Sequence, residues 1–142
     1  MERIYTSEVG SHVGERVRLA GWLHALRRLG GINFLVLRDI RGTVQVVVDT
    51  PEALAALEGL LPETVLTVEG DVVAEPQAPG GIEIHGPQFE ILSPVHDALP
   101  FPLNKPEMKA TLPTFLDHAT VGLRHPQRRA HIRLQAGVMA GF

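Results

Sequence analysis

The 142-residue sequence contains no cysteine, which excludes a disulfide-stapled scaffold and a zinc site built on thiolates. Its opening residues, MERIYTSEVG, lack the apolar stretch of a signal peptide, and no apolar run approaches the roughly 20 residues that a membrane-spanning helix needs. A soluble, cytoplasmic chain is the expectation. None of the seven histidines stands four residues from another, and the glycine pairs Gly30-Gly31 and Gly80-Gly81 lack the Lys-Ser/Thr of a phosphate loop. No serine or histidine sits in a recognisable nucleophile setting. These absences predict neither a metal site nor catalytic residues in this chain. Lysine and arginine are also missing from residues 42–100, which hold ten acids, whereas residues 16–41 hold six arginines against the single acid Asp39. Residues 101–142 are again basic, with six cations and two acids. The net charge of −3 therefore conceals two basic zones around an acidic body, and it is the distribution that decides whether a polyanion can dock.

A hydrophobic content of 44% supports a packed core. Alternating residues predict a first strand over roughly 16–25, with Val17, Leu19 and Leu23 on one face. Two further strands, INFLVLRD and TVQVVVD, are joined through Asp39-Ile40-Arg41-Gly42, where Gly42 is placed to supply the positive φ of a tight hairpin. Thr50-Pro51-Glu52 reads as a helix start, with Thr50 as cap and Leu54, Leu57 and Leu61 on one face. Strands near 65–74 and 82–92 follow, separated by the turn Gln77–Gly81, with a break foreseen at Gly86-Pro87. Three strands, a helix and two strands match the five-stranded OB barrel, which binds oligonucleotides on an outer strand face. Pro94, Pro100, Pro102, Pro106 and Pro113 then suggest a hinge. Pro126 opens a last helix, where Ile132, Leu134, Val138, Met139 and Phe142 make an apolar stripe behind Arg128, Arg129 and Arg133.

The candidate chemistry lies on the hairpin. Leu35, Leu37, Val44, Val46 and Val48 belong to the core face, which leaves Phe34, Val36 and Arg38 on the other side of one strand and Gln45 on the more polar side of the next. An even loop puts Phe34 and Gln45 on one face; an odd loop separates them. Phe34 suits either the end of the barrel core or a platform for a stacked base, and Gln45 is either an ordinary surface amide or a reader of the O4 and N3–H edge of uracil. Glu83, on the fifth strand, accepts hydrogen bonds only and suits an amino group on a guanine or cytosine. Arg27 and Arg28 supply charge beside them, or else simply solvate a strand end.

Taken together, Gly21-Trp22, the LGG-x-x-F block from Leu29 to Phe34, LRD at 37–39 and G-x-V-Q from Gly42 to Gln45 resemble the anticodon-binding domain of aspartyl-tRNA synthetases. The resemblance continues through LDH at 116–118 and LRHP at 123–126 into what looks like the start of the class II motif 1 helix. The short barrel segment is closer to the archaeal-type branch. The resemblance implies that Phe34 and Gln45 hold the middle anticodon base, a uracil, and that Glu83 helps read a neighbouring base. Discriminating members of that branch tend to carry Trp where this chain has His24 and Lys where it has Pro79. The departures at both imply a non-discriminating enzyme that charges tRNA-Asp and tRNA-Asn. Ala119 and Gly122 stand where relatives often have Arg and Asp, which puts interdomain contacts there in question.

On this reading residues 1–93 form the OB-fold anticodon-binding domain, 94–122 a hinge, and 123–142 the truncated start of a class II catalytic domain. The parent protein is then a homodimeric ligase that uses ATP and Mg²⁺ to join aspartate to tRNA, with the catalytic motifs outside this chain. Two rivals stand beside it. One is the anticodon domain of an asparaginyl-tRNA synthetase. The other is a freestanding OB module for single-stranded nucleic acid, against which the unpartnered apolar stripe of the last helix argues.

Overall fold

A computed structural model describes residues 1–29 and 31–142, the side chain of Leu29 excepted; Gly30, half of the expected Gly30-Gly31 break, lies outside the described residues. The chain divides into two units, Met1–Ala98 and Leu99–Phe142.

The first unit is a closed barrel. Strands β1 (Arg16–Leu29), β2 (Ile32–Arg38), β3 (Thr43–Val48), β4 (Val65–Ala74) and β5 (Ile82–Ser93) are ordered β1-β2-β3-β5-β4, with helix α1 (Pro51–Ala56) between β3 and β4. All pairings are antiparallel except β3 with β5. The alternation read from the sequence is the inside of this barrel: Leu19, Leu23, Leu35, Leu37, Val46, Val48, Leu66, Val68 and Ile84 are each at most 1% exposed. Burial of each such side chain stabilises the fold by about 1.5–3 kcal/mol.

Several elements depart from the sequence expectations. β1 runs four residues past Ala25 because it pairs with β4 along its first half and with β2 along its second. The register of β1 against β2 shifts between Leu23 and Ala25, a bulge that leaves His24 as the extra residue. Gly21 lies where β1 runs tightly against β2: a Cβ there would run into the Arg38 carbonyl oxygen, so the Gly-Trp pair answers a close backbone approach.

Helix α1 begins as expected, with Thr50 Oγ1 accepting from Ala53 N at 3.2 Å, but it buries Ala53 and Leu57, while Leu54 is exposed. One and a half turns are too short to present a Leu54–Leu61 face. Gly42 does not take a positive φ. The hairpin is instead closed by Asp39, whose N–H donates to Gly42 O at 3.0 Å and whose Oδ1 accepts from the N–H groups of Arg41 and Gly42 at 2.6 and 3.0 Å. The same carboxylate accepts from Thr6 N and Thr6 Oγ1, both at 2.7 Å, and so ties the N-terminal segment to the hairpin. Burial pushes the Asp39 carboxyl up, but the bonds from the Thr6 hydroxyl and from the N–H groups of Thr6, Arg41 and Gly42 outweigh it and hold the group below its ordinary 3.8. β5 runs on through Gly86-Pro87, so the foreseen interruption takes the form of a bulge: Gly86 has φ +56 and the β4–β5 register shifts between Glu69 and Asp71.

The second unit holds α2 (Leu112–Asp117), α3 (Ala119–Gly122) and α4 (Pro126–Ala140). Thr111 caps α2, and Pro113 sits in its first turn, where a missing N–H costs nothing. His125 is buried and its Nε2 lies 2.9 Å from Lys105 O. Leu134, Val138, Met139 and Phe142 on or beyond α4 are all exposed. No helix among the described residues is long and apolar enough to cross a membrane.

Candidate functional site

The hairpin loop Asp39–Gly42 lies between the paired residues Arg38 and Thr43, so its length is even and Phe34 and Gln45 share the outer face of the barrel. Two rows of cross-strand neighbours follow from the register. Ala25, Val36, Gln45, Glu83 and Val73 stand side by side across β1, β2, β3, β5 and β4, and the adjacent row runs Arg27, Phe34, Val47. Phe34 is thus the diagonal neighbour of Gln45, near enough for both to touch one flat ligand. Phe34 is half-buried and absent from the core cluster; its ring belongs to the outer face.

Gln45 and Glu83 meet directly, Gln45 Nε2 donating to Glu83 Oε1 at 2.7 Å. The other carboxylate oxygen lies 3.1 Å from His85 Nε2. Glu83 is 8% exposed, so the carboxylate is held from two sides below a face that Gln45 and His85 reach. His85 carried no sequence signal of its own; only its spacing two residues from Glu83 on a strand places it on this face.

The structure divides the arginine cluster. Arg16 pairs with Asp71 at 3.2 Å, and Arg18 reaches Glu90 at 3.1 Å and Glu69 at 3.6 Å. Arg41 stacks on the Tyr5 ring, 5.3 Å from its centroid. These exposed contacts are each worth about 1 kcal/mol or less, yet they satisfy much of the charge that the sequence appeared to aim outward. Arg27 and Arg28 remain exposed at the end of β1. Arg27 stands opposite Phe34, whereas Arg28 is opposite Asn33 and on the other face of the strand. Both border a groove of about 1020 Å³ between the β1–β2 end and α1, shared with Leu26, Asn33, Leu54 and Glu58.

Arg38, also read as outward-facing, is 3% exposed. Its Nη2 lies 2.7 and 2.8 Å from the two oxygens of Glu63, itself 3% exposed, and its guanidinium carbon is 5.3 Å from the centre of the Trp22 ring. Glu63 adopts φ +73, held there by its N–H donating to Leu23 O at 2.8 Å while Leu23 N–H donates to Thr64 O at 2.8 Å. His24 in the bulge joins this node, with its Nδ1 3.1 Å from Arg38 Nη1. A guanidinium only donates, so Nδ1 accepts and the ring proton sits on Nε2. Pro79 lies elsewhere, exposed at the tip of the β4–β5 turn, where Gly80 and Gly81 take φ +84 and +75.

A family model described as an OB-fold nucleic acid binding domain of the tRNA anticodon type matches residues 17–92. The chain is similar to the aspartate–tRNA(Asp/Asn) ligase of Thermus thermophilus, with 40% identity over 140 residues that cover 99% of this chain and 32% of that protein. Among solved structures, the asparaginyl-tRNA synthetase of Pyrococcus horikoshii complexed with asparaginyl-adenylate superposes with a TM-score of 0.85 at 33% identity, over 99% of this chain and 33% of that one. A shorter protein, OBody AM3L15 bound to hen egg-white lysozyme, matches 67% of this chain and 97% of its own length, with a TM-score of 0.59 and 26% identity. The chain spans about a third of the length of the ligase and the synthetase it matches.

Proposed function

The chain belongs to the OB-fold nucleic acid binding domains of the tRNA anticodon family, and on that premise we propose that it reads the anticodon of tRNA-Asp and tRNA-Asn as part of an aspartate–tRNA(Asp/Asn) ligase. The observation that carries the proposal is the outer-face juxtaposition of an uncored Phe34 ring with the hydrogen-bonded Gln45–Glu83 pair. A base splayed out of a loop stacks on the ring and presents its edge to the amide, a mode that suits unpaired RNA. Arg27 lies beside that base and Arg28 across the strand from it, both available to phosphates. His24 and Pro79, in place of Trp and Lys, leave the third anticodon base, cytosine or uracil, without a selective contact.

The domain assignment carries residues 1–93 as the reader, 94–122 as the hinge and 123–142 as the start of a class II catalytic domain. For the whole protein we propose ATP- and Mg²⁺-dependent attachment of aspartate to tRNA by a cytoplasmic homodimer. Titration of this chain, at stated salt, with anticodon stem-loops varied at each of the three bases tests the reading. Strong dependence on a middle uracil with tolerance of cytosine and uracil at the third base is the expected pattern. Equal affinity for all loops would refute it.

A second reading, the anticodon domain of an asparaginyl-tRNA synthetase, draws on the superposition with the Pyrococcus horikoshii enzyme. Amino-acid-dependent ATP–pyrophosphate exchange by the full-length protein separates the two: aspartate supports exchange in the first case, asparagine in the second.

A further inference from the structure

We propose that Glu83 acts as a positioning residue that fixes which end of the Gln45 amide faces which way, and thereby sets the preference for uracil over cytosine at the middle base. This rests on the anticodon reading above. An amide that meets a pyrimidine with both its oxygen and its nitrogen can pair with either base, because uracil presents an acceptor (O4) next to a donor (N3–H), and cytosine presents a donor (N4–H) next to an acceptor (N3). The two patterns are mirror images. Turning the amide end for end converts a uracil reader into a cytosine reader with no change of position, so the presence of glutamine alone does not decide between them.

The structure supplies what decides. A carboxylate accepts and never donates, so the Gln45 group 2.7 Å from Glu83 Oε1 must be Nε2. In the reversed amide, Oε1 would face a carboxylate that is 8% exposed, an unpaired acceptor against a charge. Glu83 cannot readily turn aside, because His85 Nε2 lies 3.1 Å from its other oxygen. Since the carboxylate must be met by a proton there too, the ring proton of His85 sits on Nε2. Both Glu83 oxygens meet protein groups, which ties this carboxylate to the orientation of Gln45 while leaving it lone pairs for a neighbouring base. The row in which the pair stands is otherwise uncharged, Ala25, Val36 and Val73 being its neighbours.

The test is Glu83→Gln in the 142-residue chain. Glutamine fills the same space but both donates and accepts, so it holds the Gln45 amide in either orientation. Binding is measured for stem-loops that differ only in a middle uracil or cytosine. A charged hydrogen bond of the usual strength corresponds to a preference of about tenfold or more. The variant is expected to lose that preference chiefly by gaining affinity for cytosine, with uracil affinity falling no more than about threefold. His85→Ala, on a partly exposed residue, is expected to shift the ratio in the same direction by a smaller factor, and it covers the case in which Glu83→Gln fails to fold. A wild-type chain that prefers uracil, with the uracil-to-cytosine ratio intact in every variant that folds, overturns the inference while leaving the anticodon reading in place. A wild-type chain indifferent to the middle base overturns both. A Glu83→Gln chain that weakens equally for the two bases assigns Glu83 a purely structural role and also overturns the inference.

Discussion

Replacement of Arg38 by Met is expected to be the most destabilising single change on the outer face, although nothing about an arginine in a strand of alternating residues announces it. The side chains of Arg38 and Glu63 are each 3% exposed and meet at 2.7 and 2.8 Å. Removing the arginine leaves a buried carboxylate without its cation, which costs about 3–5 kcal/mol. The change also takes a donor from His24 and a cation from the Trp22 ring, and it removes the side-chain ion pair from a residue, Glu63, that sits at φ +73. Against a total stability of about 5–15 kcal/mol, a loss near 4 kcal/mol lowers the urea midpoint by about 2 M for a slope near 2 kcal/mol/M. Trp22 is the only tryptophan and sits on the node itself, so its fluorescence reports the barrel without a signal from the helical unit. Replacing Arg38 and Glu63 together by Met removes both charges and is expected to recover most of the loss, because paired burial of charge is close to neutral against apolar packing. A single replacement that costs under about 1 kcal/mol, or a double as unstable as the single, would refute the argument that loss of this cation from a buried carboxylate is the cause.

Three further outcomes are expected. Phe34→Ala should weaken binding of a uracil-centred stem-loop by about 1–3 kcal/mol with little change in Tm; a large fall in Tm would return the ring to the core. His24→Trp with Pro79→Lys should raise the affinity ratio of tRNA-Asp over tRNA-Asn loops, and an unchanged ratio would remove these positions from third-base selection. The depressed Asp39 carboxyl contributes stability that is fully present above its ordinary 3.8 and lost as pH falls through its lower folded value. Urea midpoints measured from about pH 5 to pH 2 should therefore fall less steeply for Asp39→Asn than for the parent chain, and parallel curves would show that the Thr6–hairpin tie is not pH-linked.

What could be read from the sequence was what depends on neighbours in the chain. Strand alternation placed Leu35, Leu37, Val44, Val46 and Val48 inside and the Thr50-Pro51 pair located a helix start, whereas the shared face of Phe34 and Gln45 stayed conditional on a loop parity that only the Arg38–Thr43 pairing decides. The errors came where distant residues intervene. Gly42 was assigned a backbone role that Asp39 performs with its side chain, helped by Thr6 from 33 residues away. Six arginines looked like one patch because Asp71, Glu69, Glu90 and Glu63, which neutralise three of them, lie far along the chain. The Gln45–Glu83 contact likewise depends on the parallel closure of β3 against β5, which no local pattern encodes.

The bulge at His24 determines more than the place of one imidazole. Before it, odd-numbered residues of β1 point into the barrel; after it, Arg27 rather than Leu26 lies opposite Phe34. Were His24 taken into the ladder at unchanged chain length, the rest of β1 would slide by one position and exchange those two neighbours, setting a leucine beside the ring and swinging the arginine to the opposite side. The bulge, more than the side chain that sits in it, therefore decides which residue of β1 stands beside Phe34: the outer face is composed by register as much as by residue identity.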